Sequence, residues 1–511
     1  MELEILASGI PKPHVSFVCS TALTTNAFTL PSPRFPQVPY MGREWRPSLD
    51  GIAESTREDR TFSYAPHSMQ PRRRKDSGLL GRFQPTKLSS TRKRRDAYNS
   101  APKRWAKYAA ILLLAWTVIE VLLAKNAISR EAATKSPALG GEKIFITSIH
   151  WTSENMLRYN WIPQVIELTK AIGRENVFLS IYESGSLDDS KGALRELDAQ
   201  LETAGISRRI VLENTTHLEE MEKRPPIGVK KEGFIQTPET GPTTGISGFD
   251  YTPSGKMELR RIPYLAKLRN LALDPLFELH DKGLEFDKVL FLNDVVFDNH
   301  DIQTLLHTNE GEYAAACSLD FSKPPSLYDT FALRDIDGKE PLMQTWPFFG
   351  NRKSRKAVKN SKPVRVKSCW NGMIAMSAEA FYGGYRSLNF RALPDSLADS
   401  HLEASECCLI HADSPFSTWK GVYLNPNVRV GYQPEAYGVV HKANWVSTFR
   451  AVYGIWMNRL LRWTSFIRHR TSTIQQRIAE WKAESETHFE SGDFCAIDEM
   501  QVIYEFGWAH V

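Results

Sequence analysis

Residues 108–124 read YAAILLLAWTVIEVLLA, an apolar run with a single charge, Glu120, set between Lys107 and Lys125. As a helix rising about 1.5 Å per residue, it covers roughly 25 Å, the short end of what crosses a hydrocarbon core. Thin early-secretory membranes suit such a span. A secretory signal peptide fits poorly, because more than 100 residues precede the run. The competing reading is a buried or amphipathic helix, favoured by Glu120 and by the short length. Lys103, Arg104 and Lys107 stand before the run, and only Lys125 and Arg130 stand close behind it. The positive-inside rule then predicts a cytosolic N-terminus and a lumenal segment 125–511, a type II arrangement.

The overall charge of +5 divides at the same place. Residues 1–106 hold 18 basic and 9 acidic side chains and 11 of the 29 prolines, whereas the remainder is slightly acidic. This excludes a uniformly basic nucleic-acid-binding domain, and no nucleic-acid partner is expected. A hydrophobic share of 42% and 13 tryptophans exclude a wholly disordered chain. The tail 1–106 is predicted to be disordered, since it lacks the apolar periodicity to offset its chain entropy. Its basic clusters at 72–75 and 92–95 read as solvated charge beside a membrane, the alternatives being a nuclear signal or an anionic-lipid patch. Residues 107–125 form the expected signal-anchor helix and 126–142 a short polar stem. The six cysteines include no CxxC pair, which removes zinc ribbons and thioredoxin-type sites. One or two disulfides are compatible with an oxidising lumen, in a connectivity the spacing leaves open. One glycosylation sequon, Asn214-Thr215-Thr216, falls on the lumenal side.

Beyond the stem the pattern alternates. Short apolar runs at 144–149, 177–182, 209–212, 288–292 and 312–318 read as strands, and 153 onward, 190–204 and 259–279 read as helices. Pro163 should end or kink the first of these helices. The stretch 220–256 reads as a long loop. Such alternation predicts an α/β fold with a mostly parallel sheet, helices on both faces and ligands at the carboxyl ends of the strands. Residues 143–435 are taken as this domain, and 436–511 as a mostly helical extension. The Trp- and Arg-rich stretch 442–485 reads as a helical pair packed on the sheet, the alternative being a membrane-surface or partner-binding helix.

Chemistry is expected where the strand 288–292 runs into Asn293-Asp294. Carboxylates at a strand end can hold a hard divalent cation, which neutralises a diphosphate leaving group. Three further segments carry polar groups suited to a nucleotide sugar. Glu183, Ser186 and Asp188 follow the second strand and could bond a base or ribose. Lys267, Arg269 and Asn270 lie on the helix before the acidic strand and could meet a diphosphate. Trp370, Asn371 and Gly372 could stack and bond a sugar. Each also has a structural alternative: a turn and helix cap, a solvated helix face, and core packing.

Taken in order, FITSIHWTSENML, NVFLSIYESGSLDDS, YLAKLRNLALDPL, KVLFLNDVVF, CSLDF with PPSLYDTFALRDIDG, SCWNGM, SECCLIHADS and NPNVRVGY resemble a fungal α-1,3-mannosyltransferase family of capsule and cell-wall synthesis, glycosyltransferase family 69. The resemblance covers about residues 144–432. It implies a GT-A-like, Rossmann-type nucleotide-sugar-binding domain, a GDP-mannose donor, Mn²⁺ or Mg²⁺, and retaining transfer to the 3-position of a mannose in a glycan acceptor. It implies a Golgi or ER membrane enzyme, and a glycosyltransferase complex is a conceivable partner. Asp294 would take the metal-ligand place, with Asn293, His411 and Asp413 near it. Arg269 and Asn270 would lie near the donor and Glu183 near the nucleoside. Trp370, Asn371, Glu406, His411 and Asp413 would line the sugar site, with Glu406 the candidate carboxylate at the anomeric carbon. The usual Asp-x-Asp is degenerate here, because position 292 is Leu. The alternatives are a catalytically weakened membrane scaffold and a retaining transferase using another nucleotide sugar.

Overall fold

The computed structural model describes residues 90–132, 138–139, 141–237, 255–383, 387–442, 444–464, 468–505 and 507–511. The expected disordered tail lies outside these residues as far as position 89. Helix α1, Ser90–Ala132, begins before the apolar run and continues past it. Within it, 105–131 is apolar enough to cross a membrane, and little of its most apolar window is buried. Residues from 119 onward belong to one compact unit, and the described part of α1 before them belongs to a second.

Among the described residues twelve strands follow: β1 Ile144–His150, β2 Val177–Ser184, β3 Ser207–Glu213, β4 Phe234–Gln236, β5 Met257–Leu259, β6 Lys288–Leu292, β7 Ala315–Phe321, β8 Val364–Val366, β9 Met373–Ser377, β10 Val422–Gly431, β11 Gln501–Tyr504 and β12 Gly507–His510. Eight of them make one sheet in the order β3-β2-β1-β6-β9-β7-β10-β8. Strands β3, β2, β1 and β6 are parallel, as the alternation predicts. Strand β9 inserts antiparallel between β6 and β7, and β8 closes the far edge antiparallel to β10. The sheet is therefore mixed, and the domain is α/β. Strand β9 is not legible in the sequence because its four apolar residues directly follow Trp370-Asn371-Gly372, the segment read for sugar binding. Asn371 and Gly372, both at positive φ, turn the chain into it.

Every residue of β1 and β6 is buried, as continuous apolar runs require when helices cover both faces. Helices α2 (Ile162–Ile172), α3 (Ser190–Thr203) and α5 (Asn299–Leu306) cover one face, over Ile146, Leu179 and Leu290. Helix α4 (Arg261–Asp281) lies on the other face, where its Ala272 carbonyl accepts from the Thr147 and Ser180 hydroxyls. Pro163 sits in the first turn of α2, where its missing N–H costs nothing, and a π-helical turn, Leu157–Trp161, leads into it. Helices α6 (Arg352–Lys359) and α7 (Glu406–Asp413) complete the body.

The C-terminal region is more than helices. After α8 (Thr448–Trp463) and α9 (Arg468–Glu484) the chain forms the β11–β12 hairpin. Ile503 of β11 packs with Ile149, Tyr182 and Leu265, so the hairpin covers the carboxyl ends of β1 and β2. Disulfides join Cys317 to Cys369 and Cys408 to Cys495; the second staples this region to α7.

Candidate active site

Because β6, β9, β7 and β10 are neighbours, the sheet order brings Asn293-Asp294, Asn371-Gly372, Asp320 and Tyr432 to one edge. Gly372 accepts from the Asn293 amide at 3.0 Å, tying the two turns together. A Cβ on Gly372 would sit 2.6 Å from Val430 Cγ2 and 3.3 Å from Asp320 Cβ, so only glycine fits here.

Asp294 is half-buried, and its Oδ1 is sealed from solvent without a hydrogen-bond partner. Burial pushes its carboxyl up to about 7. Asp320 is fully buried and is also pushed to about 7, first by burial and then by the charge of Asp329. It accepts from Asn371 Nδ2 at 2.9 Å and from the Tyr432 hydroxyl at 3.1 Å. Asp329, half-buried on the following loop, is raised by burial and by Glu406, while Arg261 opposes the shift. Its Oδ1 accepts from the amides of Phe331 and Ala332, and its carbonyl accepts from Asn371 Nδ2 at 2.7 Å. Burial raises the Tyr432 phenol, helped by the charges of Asp320, Tyr328, Asp294 and Asp329. Desolvation and like charge acting in the same direction, as here, gather at catalytic centres. Asp320, Asp329 and Tyr432 lie in the motifs CSLDF, PPSLYDTF and NPNVRVGY, but the sequence reading assigned them no role. The available signal was an aspartate inside a strand that is otherwise apolar and fully buried.

The remaining predicted residues fall into two groups. Arg269 and Glu406 are both buried; Nε donates to Oε1 at 3.0 Å, and the guanidinium lies 4.3 Å over the Trp370 ring. Arg269 is therefore committed to Glu406 and Trp370 and is not an open phosphate ligand. Trp370 is fully buried against Phe291 and Phe390, and its Nε1 donates to Asn293 Oδ1 at 3.2 Å. It offers no face to a sugar, which corrects that expectation in favour of core packing. Its work is to hold Asn293, whose backbone carbonyl is held by Trp161. Glu406 keeps one oxygen, Oε2, without a partner.

Elsewhere the structure separates what the sequence grouped. Glu183 is fully buried, accepts from the amides of Ser186 and Glu213, and faces Lys191 at 3.4 Å. Ser186 accepts from the Thr152 amide, and Asp188 accepts from Glu154 and Ser190. These three side chains build the β2–α3 turn, and none is left facing a base. Asn270 clamps the backbone of Phe390 with both its donor and its acceptor. With Lys267 it lines a cavity of about 610 Å³ whose walls include none of Asp294, Asp320 and Asp329.

The proposed metal shell is corrected in the same way. His411 is buried, bonded to the Cys369 carbonyl and lowered to about 4 by burial. Asp413 is paired with Arg391 at 2.6 Å. Among the described residues, no three His, Cys, Asp or Glu side chains converge as a metal site. What remains is Asp294 with its orphan oxygen. That fits a cation held by one protein carboxylate, with substrate phosphates and water supplying the other oxygens, a common mode for Mg²⁺.

A family model described as Cryptococcal mannosyltransferase 1 matches residues 143–413. No protein among the curated sequences matches the chain. The chain is similar to three solved structures, each at 10% identity. Mannosyltransferase PcManGT from Pyrobaculum calidifontis in complex with GDP-Man and Mn²⁺ covers 74% of this chain and 86% of its own, with a TM-score of 0.29. TarS 1–349 of S. aureus covers 64% and 73%, with a TM-score of 0.30. Glucosyl-3-phosphoglycerate synthase of Mycobacterium tuberculosis, with Mn²⁺, UDP and glucosyl-3-phosphoglycerate, covers 63% and 88%, with a TM-score of 0.26.

Proposed function

The chain belongs to the cryptococcal mannosyltransferase 1 family, and from that premise we propose that it is a type II membrane enzyme transferring mannose from GDP-mannose to the 3-position of a mannose-containing glycan, with anomeric retention. The observation that carries this reading is the orphaned, half-buried carboxylate of Asp294 at the end of the central parallel strand. Ligands of such sheets bind at that edge.

When bound, a divalent cation would neutralise the diphosphate that leaves with the nucleoside. Asp294 is the residue that would hold it. Asn293, fixed by Trp370 and Trp161, sets the direction of the Asp294 backbone. Asp329 is the carboxylate open to the sugar face, and Asp320 with Tyr432 and Asn371 holds its loop in place. Glu406 acts as a positioning residue through Arg269 and Trp370. In same-face transfer the departing diphosphate takes the acceptor proton, so the chain contributes position and charge placement and needs no separate base.

Membrane anchoring rests on the helix 105–131. A lumenal body is supported by its two disulfides, which suit an oxidising compartment, and by the exposed position of Asn214. A Golgi or ER membrane is the location proposed with that topology.

The degenerate Leu292-Asn293-Asp294 favours a second reading, a donor-binding scaffold of a glycosyltransferase complex with weak turnover. Asp294→Asn separates the two. In an active enzyme, mannosyl transfer by the detergent-solubilised full chain should fall by about 10²-fold or more, the scale of a lost electrostatic group. Donor binding without turnover in the unaltered protein would select the scaffold.

A further inference from the structure

Helix α8 is packed on the body by one face and exposed on the other. Ala451, Gly454, Ile455 and Asn458 face inward. Asn458 donates to the Phe349 carbonyl at 3.0 Å, and a Cβ on Gly454 would collide with the Trp346 carbonyl. The opposite face carries Phe449, Val452, Tyr453, Leu460 and Trp463, each exposed, at the three- and four-residue spacing of one helical stripe. Their exposures run from 37% for Val452 to 79% for Phe449, so the stripe is uncovered along its length.

The stripe stands next to the apolar helix. Glu120, the one acid in that run, meets Arg459 of α8 at 2.5 Å and also Lys359 of α6. One turn further along α1, Lys125 donates to Asn444 at 2.9 Å and to Thr448 at 3.3 Å. Side chains of α1 at residues 120–125 therefore meet α8 between residues 448 and 459. Ile119 and Leu122 of α1 are exposed here as well, at 53% and 62%. Basic residues border the pair: Arg352, Lys353 and Lys356 of α6 and Arg462 of α8 are exposed, and Arg355 lies within the field of Arg462, Arg459 and Glu120.

We propose that α8 is a membrane-seated helix: its stripe enters the headgroup–acyl boundary beside the point where α1 leaves the bilayer, and the bordering Arg and Lys residues meet lipid phosphates. The inference rests on the membrane-spanning reading of α1. Bilayer is the occupant because the stripe lies on a helix bonded to α1 at Glu120 and Lys125 and has a basic rim, the composition of interfacial helices. The ion pairs also explain Glu120. An acid near membrane depth requires a partner, and the body supplies two. The catalytic body would then be held in one orientation against the lipid instead of swinging on a flexible stem.

The test uses the full chain in lipid nanodiscs, with Cys19→Ser to remove the tail thiol and one environment-sensitive fluorophore on an introduced cysteine. Leu460→Cys reports the stripe, Leu114→Cys the span and Glu202→Cys an exposed site on α3. Nitroxide-bearing lipids should quench the probes at 460 and 114 several-fold more than the probe at 202. Quenching at 114 with 460 no different from 202 overturns the seating of α8 and leaves the span intact. No lipid quenching at 114 overturns the spanning reading, and this proposal falls with it. A blue-shifted but unquenched probe at 460 assigns the stripe to a protein partner or second copy, which also overturns the proposal.

Discussion

At the scale of single residues, the site depends on a few side chains that hold one another in place while Asp294 Oδ1, Glu406 Oε2, Asn293 Nδ2 and Asn371 Oδ1 are left without hydrogen-bond partners. Gly372 is the tightest of these constraints, at φ +84° with Val430 and Asp320 against its missing side chain. Gly372→Ala should cost about 2 kcal/mol or more, from left-handed strain plus overpacking, measurable as a shift in the denaturant midpoint. His150 provides a cleaner electrostatic test. Burial at the end of β1 pushes its imidazole from 6.5 down to about 3. The folded protein keeps it neutral, while the unfolded chain protonates it below about 6.5. Between those values the unfolded state binds the extra proton, so this group makes stability rise with pH. His150→Gln should flatten the rise between about pH 3 and 6.5, and an unchanged slope would contradict its burial. What was legible at this scale was Asp294, because a strand running into Asn-Asp is a local pattern. Asp320 and Asp329 acquire their meaning only when β7 and its loop are laid beside β9. Trp370 looked like a sugar platform because sequence shows that a ring is present but not which of its faces are covered.

At the scale of elements, the strands β1, β2, β3 and β6 and the helices α3 and α4 were readable from apolar runs and turn residues. Strand β9 was not, since pairing antiparallel between β6 and β7 is a long-range decision made by sheet order. The C-terminal hairpin was hidden for a similar reason: its four-residue strands carry little periodicity, and its place is set by packing on β1, β2 and α4. The Cys408–Cys495 bridge closes 87 residues and holds that region to α7. Replacing both cysteines by alanine should destabilise the protein by about 2–5 kcal/mol. Segment 485–511 should also become the first site of limited proteolysis. Unaltered proteolysis would mean that Arg260, Arg334 and Arg477 hold the segment without the bridge.

At the scale of the whole molecule, the proposed type II topology puts the two sides of the apolar run in different compartments. Asn214, exposed after β3, reports which one the body occupies. When the chain is made in eukaryotic membranes, glycosidase treatment should increase its gel mobility, and Asn214→Gln should remove that shift. A protein lacking glycan at Asn214 but carrying modification of its tail would reverse the assigned topology.

The central claim is mannosyl transfer, and a donor screen on the solubilised full chain addresses it most directly. With Mn²⁺ and an α-mannoside acceptor, the account predicts product from GDP-mannose, none from UDP-xylose or UDP-glucose, and none from GDP-mannose with Asp294→Asn. Product formed from a UDP-sugar instead, or product formed equally by the Asp294→Asn protein, would contradict it.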